Sequence, residues 1–550
     1  TMLSPNALRY GSDQPLPDRR WLRAGPLTLA YEEGDIRCLR YGDREIVRRI
    51  YVAVRDRNWG TVPARLSNLE ITTAADSFRI TYDVEHIEGD INFAWHGDIQ
   101  GQPDGTVIFS MDGVARSTFW RSRIGFCVLH PVLECAGQPF RVEKADGTTE
   151  EGIFSLLISP HAPATDMRAI SYPVLPGLSA ELRFEGDLFE MEDQRNWTDA
   201  SYKTFCTPLA LPWPVEVVEG TRIRQSVTLR LIGELSSDAT SVASRPITIR
   251  LAAEPQATLP VLGLGLSSVT EMLTDREIQR LRVLHLNHLR ADLWLARSDW
   301  QATLRRAMSE ASALGTRLEL ALYLSNNGEA ELNALREAMA ALRDQGKPAV
   351  CRWLIFHQDE KSTGNRWLEL SHRLLADLQP EATIAGGTDF SFYELNVAAP
   401  DADLLDEITY AIVPQVHAFD LASLVENLGA QAATVISARE LAGGKPVVVS
   451  TVTLRMRRNP DAVGSEPEQP AGELPPQVDV RQMSLFGAGW TLGSLKHLAE
   501  SGVASATYYE TTGWLGVMET EAGSPLPERF HSMAGAVFPI YHIFADVAEM

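Results

Sequence analysis

Short apolar runs and polar turns alternate through residues 24–250, in segments such as GPLTLAYEEGDIRCLRYGD, SFRITYDVEHIEGD, GTVIFSMDGVA, LSAELRFEGDLFEME and TRIRQSVTLRLIGE. Every second position is apolar, and GD, DG and EGD dipeptides of the hairpin kind separate the runs. Long helical periodicity is missing. The pattern predicts a large antiparallel β-sandwich over residues 1–255.

From about residue 256 the rhythm changes. Eight apolar runs (260–268, 286–295, 317–325, 352–360, 383–396, 410–420, 446–456 and 505–514) alternate with eight stretches whose apolar residues return every three or four positions. TDREIQRLRVL and NRWLELSHRLLADLQ are two such stretches, and FPIYHIFADVAEM is the last. Eight strand–helix units predict a (β/α)₈ barrel over 256–550. The segment 456–485 contains RNPDAVGSEPEQPAGELPPQ and reads either as a mobile lid or as a plain disordered insertion after the seventh strand.

Barrel enzymes place their chemistry at the C-terminal ends of the strands. That rule selects Arg290, Asp292 and Trp294 after the second run, Glu360 after the fourth, and Asp389 and Tyr393 after the fifth. It adds His417 after the sixth, and Tyr509, Glu510 and Trp514 after the eighth. Glu360 is the strongest single candidate, because a carboxyl at the end of a buried strand can have its pKa raised into the range for proton transfer. It could equally serve as a helix cap or a salt bridge to Lys361 or Arg366. Glu510 is expected as its acid–base complement, with His417 as an acid, a base or an oxyanion donor. Arg290 could hold a carbonyl or carboxylate through paired N–H bonds or could equally anchor Asp292, itself a substrate-binding candidate, and Trp294, Tyr393, Tyr509 and Trp514 suit the apolar faces of a sugar ring.

Composition narrows the function classes. A formal charge of −22 over 550 residues disfavours nucleic-acid and anionic-membrane partners, and no apolar run approaches the ~18 residues of a membrane helix. The opening TMLSPNALRYGSDQPLPDRRW has no basic segment followed by an apolar core, and the five cysteines are scattered with no CxxC pair, so reduced thiols and a cytoplasmic location are expected. Neither GxSxG, HExxH, GxxxxGK[ST] nor GxGxxG occurs, so no metal and no cofactor is expected. Composition leaves the oligomeric state open.

One stretch does not fit a plain sheet: FEMEDQRNWTDASYKTF, residues 189–205, crowds charged and amide side chains around Trp197. It reads as a long polar loop, with Asp193 and Arg195 candidates for sugar binding or for ordering the junction between the two halves. With RIGFCVLHP (123–131), FHQDE (356–360), GGTDFSFYELN (386–396), VPQVHAFD (413–420) and YYETTGW (508–514), the stretch resembles the D-apionate lactonase family along the whole chain. The β half is similar to the mutarotase-like domains that accompany carbohydrate barrels. The resemblance implies a hydrolase that opens D-apionolactone, a small sugar lactone, to D-apionate in apiose catabolism. It also implies a further small β-domain, which would lie past Met550. The alternative is a retaining glycoside hydrolase, which would pair Glu360 with a strand-seven glutamate. VVVSTVTLRMRRN has none, so Glu510 would have to take that place.

Overall fold

In the computed structural model, the described residues are 3–235, 248, 253–341, 348–461 and 470–549. Residues 462–469, in the segment 456–485 read as a lid or a plain insertion, lie outside them. The chain divides into two compact units. One comprises Leu16–Arg195 and Ala200–Leu251, and the other Thr1–Pro15, Asn196–Asp199 and Ala252–Met550.

The first unit is an antiparallel β-domain in which, among the described residues, seventeen strands hydrogen-bond into one continuous sheet. The alternation read from sequence is the alternation of burial. Along Phe78–Glu88, Phe78, Ile80, Tyr82, Val84 and His86 point inward while the residues between them face outward. The strand turns back through Gly89-Asp90, with Gly89 at φ 59° where a side chain would be strained, and pairs with Ile91–Gly101. Ile80, Phe93, Phe109, Phe126, Leu182 and Tyr202 belong to the one large apolar core.

The polar stretch 189–205 is part of this sheet. Phe189–Asp193 and Ser201–Phe205 form a hairpin through a 3₁₀ turn at Gln194–Trp197, with Glu190 opposite Phe205 and Asp193 opposite Tyr202. The expected long loop is therefore a buried hairpin, because its charges neutralise one another. Arg195 grips Asp193 through Nε (2.8 Å) and Nη2 (2.7 Å) and donates to the Leu156 and Ser155 carbonyls at 2.9 and 2.7 Å. Lys203 meets Glu192, directly across the hairpin, at 2.9 Å.

The second unit is a closed barrel of eight parallel strands: β1 (Val261–Gly265), β2 (His288–Trp294), β3 (Arg317–Leu324), β4 (Val350–His357), β5 (Thr383–Gly387), β6 (Glu407–Ile412), β7 (Val447–Val452) and β8 (Ser505–Glu510). A helix follows each strand, from Asp275–Arg282 to Pro539–Ala548. Two of the predicted strands are displaced. The fifth ends at Gly387, and Phe392–Val397 is a short helix that buries Phe392 and Leu395, so Tyr393 is helical. A helix of six residues is too short to show a period of its own in the run 383–396. The sixth strand ends at Ile412, which leaves His417 in the loop before the helix Leu421–Leu441. No helix among the described residues is long and apolar enough to cross a membrane.

The barrel interior carries a charged layer. Arg352 on β4 donates Nε and Nη2 to Glu407 on β6 at 2.6 and 3.1 Å, and Nη1 to Glu319 on β3 at 2.8 Å. Ser450 and Thr507 donate to the other oxygen of Glu319 at 2.5 and 2.7 Å. Burial pushes Glu319 up, but His288, Arg352 and Arg290 outweigh it and hold this carboxyl at about 2. Removing the central cation strands two buried carboxylates. Arg352→Ala is expected to cost about 3–5 kcal/mol in urea unfolding at neutral pH, and a loss under about 1 kcal/mol would show that this layer is not needed.

Candidate active site

β8 aims the principal side chain. Along SATYYE the side chains should alternate between barrel and helix layer, but Tyr509 adopts φ 38° and the register with β1 skips one residue, from Leu264 opposite Tyr508 to Gly265 opposite Glu510. This bulge lets both tyrosines face the same helix, Tyr508 bonding Ser494 at 2.8 Å and Tyr509 bonding Thr491 at 2.7 Å. Glu510 is thereby brought onto the wall of a cavity of about 240 Å³. Gly265 permits the close approach, since a Cβ there would lie 2.7 Å from the Tyr509 carbonyl oxygen.

That cavity opens at the C-terminal ends of β1, β2, β7 and β8, between Gly265, Arg290, Asp292, Thr451 and Glu510. The segment after β7 closes it with Arg455, Arg457 and Asp479. Glu510 Oε2 accepts hydrogen bonds from the Ser268 backbone N–H (2.7 Å) and hydroxyl (2.9 Å). Burial lifts its pKa from the usual 4.5 to about 7, and the Ser268 bonds and Arg457 offset only part of that rise. A carboxyl in this state exchanges protons at neutral pH.

Its neighbours are locked in the opposite state. Arg290 donates to Asp292 (Nε, 2.9 Å), Ser450 (Nη1, 2.9 Å) and Asp389 (Nη2, 2.6 Å). Asp389 also accepts from Tyr323 (2.6 Å), Arg458 (2.7 Å) and Arg457 (3.2 Å). Arg457 bonds the second oxygen of Asp292. Burial acts to raise both aspartates, yet these arginines hold Asp389 far below the usual carboxylate range and lower Asp292 as well. On the far wall Asp479 is similarly depressed, its burial outweighed by Arg481 and Arg455 and by a 2.6 Å bond from Gln415.

The other predicted site residues are dispersed. Glu360 lies in a separate small niche with Tyr323, His357 and Phe390, where it accepts from Arg366 (2.6 Å) and the Trp367 indole (3.1 Å). Burial acts to raise its pKa, but the Trp367 and Arg366 bonds and nearby His357 lower it overall. His417 Nδ1 is 2.6 Å from Asp199, and its ring meets Trp197 edge-on. Tyr393 stacks on Trp197 at 4.7 Å. Trp294 stacks on Tyr323 at 4.1 Å, with Arg297 and Arg458 also against its ring. Trp514 packs with Phe530 and bonds Ser524 at 2.9 Å. Asp193 and Arg195 are buried in the β-domain on each other.

Sequence reading missed Arg455, Arg457, Arg458 and Asp479. The signal was present in RMRR, immediately past a barrel strand, but that strand was searched for a carboxylate. Among the described residues no group of three or more His, Cys, Asp or Glu side chains is placed to hold a metal ion.

A (β/α)₈ barrel whose strand ends wall a small polar cavity around one neutral-pKa carboxyl is the arrangement of a barrel hydrolase. Residues 7–234 match the model of the D-apionate lactonase N-terminal domain, and residues 262–550 match that of the D-apionate lactonase TIM barrel domain. The chain belongs to the D-apionate lactonase family. A curated relative, the D-apionate lactonase of Brucella anthropi, is 30% identical over 97% of this chain and 88% of its own length. Among solved structures, an endo-1,4-beta-D-mannanase of Thermotoga petrophila is 12% identical with a TM-score of 0.34, over 53% of this chain and 99% of its own. A β-glucuronidase from Ruminococcus gnavus is 9% identical with a TM-score of 0.34, over 91% of this chain and 69% of its own. The family assignment rests on the sequence matches.

The bulge is testable through its glycine. Gly265→Ala forces the Tyr509 carbonyl to move and with it Glu510. Turnover is expected to fall by about 10²-fold while the far-ultraviolet circular dichroism stays that of the parent. Full activity in this variant would show that the position of Glu510 is not set by the bulge.

Proposed function

We propose that the chain hydrolyses a small sugar lactone, D-apionolactone to D-apionate, with Glu510 as the group that moves the proton. The observation that carries this reading is Glu510 itself: a carboxyl at about 7 on the wall of a cavity sized for one small sugar ring, within a family of D-apionate lactonases. As a carboxylate, Glu510 takes a proton from water as the water attacks the lactone carbonyl. As the acid so formed, it returns that proton to the departing ring oxygen. The new carboxylic acid then ionises, so each turnover releases one proton. Arg455 and Arg457, which line the same cavity, supply positive charge for the tetrahedral oxyanion. Asp292, kept ionised by Arg290 and Arg457, accepts from substrate hydroxyls. This route needs no covalent intermediate and no cofactor, and the proposed site for it is cytoplasmic.

A glycosidase would need two carboxyls facing one sugar ring. Glu360 lines a different niche from Glu510 and is held by Arg366 and Trp367, so it is poorly placed to be the partner. We therefore assign Glu360 to anchoring the loop after β4, and His417 to holding Asp199.

Replacing Glu510 by Gln is expected to lower lactone turnover by roughly 10²–10⁴, whereas Glu360→Gln should stay well below a 10² loss. An indicator assay of acid release measures both. The reverse ranking would return the chemistry to Glu360. Exhaustive chelation should leave the rate unchanged, and a loss restored by one divalent ion would contradict the scheme.

The pH dependence follows from the sign of the shift. A base must be ionised, so kcat/KM is expected to rise with pH through a midpoint near 7. Stability runs the other way. The folded pKa lies above the unfolded one, so the stability Glu510 contributes is complete below about 4.5 and is lost as pH rises through about 7. Burial raises Glu394 to about 7 as well, but that residue is not on the cavity wall. Glu394→Gln should therefore keep the kinetic limb and Glu510→Gln should abolish it. A limb that followed Glu394 instead would refute the assignment.

A further inference from the structure

The β-domain buries two guanidiniums, Arg121 and Arg123, that make no direct ion pair among the described residues. Arg121 and Arg123 flank Ser122 on the strand Phe119–Pro131, where the ladder slips by one residue, from Arg55 opposite Arg123 to Asp56 opposite Arg121. Arg55 is bonded to the Trp59 carbonyl (3.2 Å) and to Thr61 (2.6 Å). Arg121 and Arg123 share a single acceptor, the Ser122 carbonyl, at 3.2 and 2.7 Å. Arg121 Nε and Arg123 Nε and Nη2 are buried with no hydrogen-bond partner. Arg123 is only 4% exposed, and burial lowers its pKa to about 10.

A buried guanidinium is normally matched by a carboxylate, because an unpaired buried charge is strongly destabilising. Glu190, Glu192 and Asp187 act on this pair electrostatically, yet each has a bond elsewhere: Glu190 with the Leu209 N–H (2.6 Å), Glu192 with Lys203 (2.9 Å) and Asp187 with the Thr207 hydroxyl (3.1 Å). Beside the guanidiniums stand two indoles. Trp59 lies against Arg123 at 4.8 Å, and Trp213 meets Trp59 edge-on at 5.0 Å. Trp213 is 44% exposed, so the patch has an aromatic rim in solvent above a cationic floor.

We propose that this face of the β-domain is a second binding site, which takes the carboxylate of a small polyhydroxylated acid of the aldonate or uronate class. Arg121 and Arg123 pair with the carboxylate, whose planar oxygens match the guanidinium fork. Trp59 and Trp213 cover the C–H face of the carbon chain, a contact that a bare inorganic anion cannot make. The inference stands on these residues alone and holds whichever carboxyl carries the barrel chemistry.

Titration calorimetry on the full chain tests it, with D-gluconate and D-galacturonate as probes, D-glucose as the neutral control and sulfate as the inorganic anion. One of the two acids should bind saturably, with glucose and sulfate far weaker. Arg123→Met is close in volume and removes the unpaired charge. It should weaken that binding by about tenfold or more without lowering Tm and without changing lactone turnover. Arg121→Met, at a more open position, should weaken it in the same direction. The proposal is overturned if neither acid binds, if sulfate binds as well as the acids, or if both variants bind like the parent. It also fails if Arg123→Met is destabilised while Arg121→Met binds normally, since Arg123 would then be a structural residue.

Discussion

The ion pair between Arg290 and Asp389 organises the barrel mouth. Arg290 rises from β2 in the barrel interior and Asp389 follows β5, and the two, both buried, meet at 2.6 Å. A pair so buried contributes little net stability but forbids the removal of either member. Its effect is positional. Asp389 draws Arg457 and Arg458 inward and bonds Tyr323, which carries Trp294 on its face. This plug fills the β3–β5 side of the mouth. The open cavity is left beside β1, β2, β7 and β8, where Glu510 stands.

The same pair joins two polar layers. Ser450 links Arg290 to Glu319 and so to Arg352 and Glu407 below. Charge thus runs continuously from the closed end of the barrel to the cavity wall. Within that array Glu319, Asp292 and Asp389 are driven down by the guanidiniums beside them. Glu510, bonded only to Ser268, is driven up. Two acids on one cavity, Asp292 and Glu510, are shifted in opposite directions, Asp292 down by the guanidiniums bonded to it and Glu510 up by burial.

The fold was legible because both periodicities are strong: five short β-runs with hairpin dipeptides, then eight runs interleaved with amphipathic helices. The errors fell where period carries no information. The run 383–396, TIAGGTDFSFYELN, mixes polar and apolar residues without a full helical period, so the helix at Phe392–Val397 does not stand out from the strand. The polar run 189–205 looked solvated because sequence does not reveal that Asp193 pairs with Arg195 and Glu192 with Lys203. The site was only partly legible. Arg290, Asp292, Asp389 and Glu510 follow from the strand-end rule. The separation of Glu360 from Glu510 depends on the Asp389 plug, a tertiary fact. The role of Tyr509 depends on a one-residue bulge that no spacing betrays.

The most direct test of the account asks which oxygen enters the product. A single turnover of excess enzyme with a small aldonolactone in ¹⁸O-labelled water shows whether the entering oxygen is lodged in Glu510, as it is when water opens a Glu510 anhydride at the Glu510 carbonyl. If Glu510 only moves protons, the first turnover yields acid carrying one ¹⁸O and leaves the Glu510 peptide unlabelled. Unlabelled acid with ¹⁸O in Glu510 would mean that the carboxylate itself attacks the carbonyl, and the proton-transfer account would be wrong.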